Sequence, residues 1–115
     1  MTLQPNFLPV GSIVMSNNIP CTVDGVLKDG FISTDKGSGH LDEFYGIKLT
    51  PEILTEWCAA KRGKVFLSEY RIGNRLIMVR NGKFVDYGSS VQLDYLHELQ
   101  LLFLGMKQVL PITIK

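Results

Sequence analysis

"RIGNRLIMVRNGKF", residues 71–84, carries two turn signals, Gly73-Asn74 and Asn81-Gly82. Two-residue hairpin loops need positive φ, which glycine and asparagine tolerate best. Read literally, these turns pair Ile72 with Arg75 and Arg80 with Lys83. Side chains along a strand alternate between faces, so the register sorts the segment into two sets. One face gathers Phe66, Tyr70, Ile72, Ile77, Val79 and Phe84 and reads as core. The other gathers Leu67, Glu69, Arg71, Met78, Arg80, Lys83, Val85 and Tyr87 and is mixed. The stretch predicts a three-stranded antiparallel meander whose apolar face needs a cover.

The nearest apolar cover is downstream. "DYLHELQLLFLG", residues 94–105, reads as a helix with Asp94 as its cap and Gly105 as its stop. At 100° per residue, Tyr95, Leu96, Leu99, Leu102, Phe103 and Met106 form one stripe, expected to pack on the meander. Leu101 and Leu104 fall on the opposite side and bracket His97. These three residues are the expected protein contact surface. The alternative is that the N-terminal sheet or the PITIK tail folds over them; Ile112-Thr113-Ile114 could close a sheet or reach another chain.

Upstream, Thr50-Pro51-Glu52 reads as a helix start. Thr50 caps free amides, Pro51 is preset for the first turn, and Glu52 suits the positive end of the dipole. Ile53, Leu54, Trp57 and Cys58 make one buried stripe, and Lys61, Arg62 and Gly63 suit the end, so a helix over 51–61 is expected. Residues 10–49 read as short strands. Val10–Met15 leads into the turn Ser16-Asn17-Asn18, and Cys21–Val23 continues to a turn or bulge at Asp24-Gly25. Asp29-Gly30 is a hairpin signal, and DKGSGH (35–40) reads as a loop tip. The fold expected is α+β in one domain, 1–115. It has a small bent SH3-like N-terminal sheet (8–49), then a linking helix, the three-stranded meander and a C-terminal helix packed on it (50–115).

Four stretches occur here in a fixed order: VGSIV (10–14), IKLTPEIL (47–54), RIGN (71–74) and YLHELQLLF (95–103). The pattern resembles a family of short proteins of Bacteroides and related gut bacteria, often found in phages or phage-derived regions. Its members pair an "IPLTEEIL"-type segment with a "YVHQLQNLYF"-type C-terminal helix. The likeness spans roughly residues 10–104; GMKQVLPITIK then stands where the family has a "TGEEL"-like close. It implies a mobile-element origin and a compact α+β fold, and it brings no functional residue with it.

Bulk composition fits a folded chain of about one domain: 115 residues, 45% hydrophobic and 20% charged. The net charge of +1 conceals an asymmetry. Residues 1–57 hold three lysines against seven acids, and residues 58–115 hold nine bases against four acids. Cys21 and Cys58 form no CxxC pair and read as reduced thiols. The N-terminus lacks a basic start with an apolar run, and no stretch approaches the ~20 apolar residues of a membrane span, so no membrane association is expected. The bacterial cytoplasm, or a phage particle, is the expected location.

Chemistry-bearing residues do not converge in the sequence. His40 and Asp42 would share a face of an extended segment beside Glu43, but a transition-metal site needs three or four ligands and the other histidine is 57 residues away. KGSGH (36–40) lacks the GK[ST] ending of a phosphate loop. Cys58 lies on an apolar stripe beside Trp57, where a thiol is an inert core residue. No catalytic residue, metal or cofactor is expected, and the chain does not read as an enzyme. Lys61, Arg62, Lys64, Arg71, Arg75, Arg80 and Lys83 do cluster, opposed by Glu69 alone. Arg71, Arg80 and Lys83 share the mixed face with Tyr87, which outlines a nucleic-acid contact. The leading expectation is an interaction protein of phage or mobile-element origin, acting by contact with its own copies or another phage or host protein. The alternative is a small nucleic-acid-binding module using the basic face.

Overall fold

The N-terminal turn chemistry works as its residues dictate. In the computed structural model, which describes residues 8–64 and 68–114, Asn17 and Asn18 both take positive φ. They close a hairpin between β1 (Ile13–Ser16) and β2 (Ile19–Val26), with Ser16 opposite Ile19. Asp24-Gly25 is a bulge: the register of β2 against β3 (Phe31–Thr34) shifts between Val23 and Gly25. Asp29 and Gly30 also take positive φ and turn β2 into β3. DKGSGH is not a loop tip. Only Asp35-Lys36 turns, and Gly37–His40 pairs with β3 as β4. A 3₁₀ turn over Leu41–Glu43 leads to β5 (Tyr45–Gly46), which pairs with β1, so the strand order is β4-β3-β2-β1-β5. Leu8, Val14, Cys21, Val23, Ile32, Leu41 and Phe44 are packed together as the core of this sheet.

The helix expected over 51–61 starts where the sequence places it and ends early. The Thr50 hydroxyl accepts from the Ile53 amide at 3.1 Å, the cap that its side chain was expected to form. Over Ile53–Trp57 the turn widens to π type, with the Cys58 amide donating to the Ile53 carbonyl. Ala59 then adopts a φ of 56°, and Lys61–Arg62 is a strand, β6, rather than a helix end.

The hairpin register of the second sheet is the one the turns demand. β7 (Glu69–Ile72) pairs Ile72 with Arg75 of β8 (Arg75–Arg80), and Arg80 pairs with Lys83 of β9 (Lys83–Asp86). Two short strands extend the expected three-stranded meander to five, β6 beside β7 and β10 (Gln92–Leu93) beside β9. Tyr70, Ile72 and Ile77 are buried and Val79 and Phe84 partly so, as expected for the core face. Phe66 and Leu67, assigned to opposite faces from the sequence, lie outside the described residues.

The C-terminal helix, α1 (Leu96–Gly105), starts one residue later than expected: Tyr95 is its cap, and its amide donates to Glu98 Oε1 at 2.8 Å. Asp94 instead accepts from the Gln92 side chain. Leu96, Leu99 and Phe103 are buried. The expectation that this helix lids the meander is corrected. The chain divides into two compact units, and α1 belongs with the first sheet: one unit holds the chain up to Ile47 with Tyr95–Gln108, the other Lys48–Asp94 and the chain from Val109. Gln100 makes that assignment concrete. Its Oε1 accepts from the Ile13 amide at 2.7 Å, and its Nε2 donates to the Gly11 carbonyl at 2.8 Å. Among the described residues the tail forms no strand; the Thr113 amide donates to the Trp57 carbonyl at 2.8 Å within the second unit.

Candidate functional site

Of the expected helix contact, two residues are exposed and one is not. Leu101 and Leu104 are 37% and 44% exposed, in the C-terminal half of α1. His97 is 3% exposed, which corrects its placement on a polar face with them. Its ring stacks on Tyr95 at 5.8 Å between centroids, and both rings lie over Gly46. A Cβ at Gly46 would come within 2.6 Å of Tyr95 Cδ1 and 2.9 Å of His97 Cε1, so the glycine makes room for the stack. His97 Nδ1 is buried with no partner among the described residues. Burial pulls the imidazole below its usual range, with Glu98 working weakly in the other direction. A neutral, enclosed imidazole packs; it does not present itself to a partner.

The basic cluster splits across the second sheet. Lys61 is opposite Arg71, and Arg80 is opposite Lys83, all four exposed and on one face. Tyr87, 59% exposed, follows Lys83 and Val85 on that face. The sequence counts Lys61 in the basic cluster but assigns it to a helix end and so leaves it off this face; the Lys61-Arg62 pair has no strand alternation to reveal it. Arg62 and Arg75 belong to the other face. The Arg62 guanidinium lies 5.5 Å from the Tyr70 ring centroid, and Arg75 pairs with the buried Asp86 carboxylate. An open recess of about 260 Å³ is lined by Lys61, Arg62, Gly63, Glu69, Arg71 and Leu76. Cations at its rim can neutralise an anion that enters it.

The remaining candidates are accounted for locally. His40 Nδ1 accepts from the Asp42 amide at 3.2 Å, closing the 3₁₀ turn, and the His40 ring meets Phe31 edge-on. Cys21 and Cys58 are buried free thiols, and burial pushes Cys58 up to about 11, so it stays protonated at neutral pH. Among the described residues no group of three or more His, Cys, Asp or Glu side chains is placed to hold a metal ion, and no helix is long and apolar enough to cross a membrane. Comparison with known proteins finds no family model, no curated protein and no solved structure that matches this chain.

Proposed function

We propose that this chain is a small, non-enzymatic interaction protein of phage or mobile-element origin that acts by protein–protein contact and self-associates through α1. The observation that carries this reading is the exposure of Leu101 and Leu104, one turn apart, on a helix whose other side is buried at Leu96, Leu99 and Phe103. Scattered surface leucines are ordinary, but two adjacent ones on a helix favour a matching apolar face. A two-fold axis beside α1 would set each pair against its copy.

The mobile-element origin rests on the order and content of VGSIV, IKLTPEIL, RIGN and YLHELQLLF. It puts the protein in the bacterial cytoplasm or in a phage particle. The first sheet is read as SH3-like. That reading is supported by the order β4-β3-β2-β1-β5 and by the 3₁₀ turn that returns β5 to β1, the connectivity of a small five-stranded barrel. Sedimentation velocity across a wide concentration range tests the self-association: the average mass should climb above that of one chain. A single-chain mass at every concentration would exclude it.

A further inference from the structure

The second sheet carries a surface that the helix contact does not use. Across β6, β7 and β8, Lys61 faces Arg71 and Arg71 faces Leu76. The Tyr87 amide donates to the Leu76 carbonyl at 2.9 Å, so Tyr87 ends the same transverse row. A second cationic row, Arg80 and Lys83, sits at the β8–β9 hairpin. Arg80 lies four strand steps beyond Leu76 along β8, about 13 Å at the usual strand rise. Half-buried Met78 and Val85 lie between the rows. Among the described residues of β6–β9, Glu69 is the one acid on this face.

We propose that this face binds single-stranded nucleic acid. Lys61 with Arg71, and Arg80 with Lys83, neutralise phosphates at two points along the strand, and Tyr87 stacks on a base between or beside them. The recess at Lys61, Arg71 and Leu76 seats one phosphate. Cations alone would hold any polyanion, so the aromatic ring decides the class. A duplex hides its base faces within the stack and offers phosphates only; a single strand offers both a charged backbone and free π-faces. A tyrosine standing 59% exposed among cations and half-buried aliphatic side chains matches the second.

Anisotropy of labelled oligothymidylate, oligouridylate and a blunt DNA duplex, titrated with the full chain at several salt concentrations, tests this. Both single strands should bind more tightly than the duplex, with log affinity falling linearly against log salt by about 0.7 per neutralised phosphate. Lys61→Ala with Arg71→Ala should weaken binding and flatten that slope. Tyr87→Ala should weaken binding about tenfold or more and leave the slope unchanged, with Tyr87→Phe restoring it. All these side chains are exposed, so the melting temperature should not move. The proposal is overturned by any of four results: no binding of either single strand at low salt, duplex bound as tightly, Tyr87→Ala without effect, or a preference for labelled polyglutamate.

Discussion

Asp86 is fully buried and is held by three donors: the Arg75 guanidinium, the Ser89 hydroxyl and the Ser89 amide. All three converge on Oδ2, while Oδ1 and Arg75 Nε have no partner among the described residues. A buried pair adds little net stability against an apolar replacement, but losing one member strands the other. Asp86→Ala should therefore cost about 3–5 kcal/mol in urea unfolding. A loss below about 1 kcal/mol would mean that water already solvates the pair. His97 gives a pH signature of opposite origin. Its folded-state pKa lies below the unfolded value of 6.5, so the unfolded chain takes up the proton first. The stability tied to neutral His97 is complete above that value and is lost as pH falls through and below it. His97→Gln should flatten the fall in melting temperature between about pH 6.5 and 5 relative to the native chain. Equal slopes for the two proteins would contradict an enclosed imidazole.

At the level of the elements, α1 owes its place to a polar side chain as well as to leucines. Gln100 occupies the Ile13 amide and the Gly11 carbonyl, as a neighbouring strand would. Gln100→Leu keeps the volume and strands both groups, so a loss of about 1–3 kcal/mol in thermal unfolding is expected. An unchanged melting temperature would show that α1 is held by its apolar side alone. This contact also explains why one part of the fold was legible in the sequence and another was not. Hairpins at 73–74 and 81–82 are local: the turn residues set φ and the alternation follows, so the register was readable to the residue. The Thr50 cap is local in the same way. Which sheet receives an apolar helix is a long-range choice, and the stripe Leu96, Leu99 and Phe103 fits either one. The strands β6 and β10 are two residues each and have no period to detect. For the same reason Lys61 was lost from the basic face, while Arg71, Arg80, Lys83 and Tyr87 were found. His97 was misplaced because a helical wheel has no knowledge of Gly46, whose missing side chain admits the ring.

Over the whole chain, basic charge is unevenly distributed. Residues 58–115 hold nine bases against four acids, and the second sheet gathers four of those bases on one face. The exposed leucines of α1 belong to the first unit. Self-association is proposed through Leu101 and Leu104 and polyanion binding through Lys61, Arg71, Arg80, Lys83 and Tyr87, so each is tested by its own substitutions. The proposal that α1 is a contact surface is the one on which the functional account depends. It is tested most directly by measuring solution mass and melting temperature together for the native chain and for Leu101→Glu with Leu104→Glu. The native protein should be associated and the variant monomeric at the same concentration with its melting temperature preserved, because exposed positions accept a carboxylate. A native chain that is already monomeric, or a variant that unfolds because two carboxylates have been forced into a core, would contradict it.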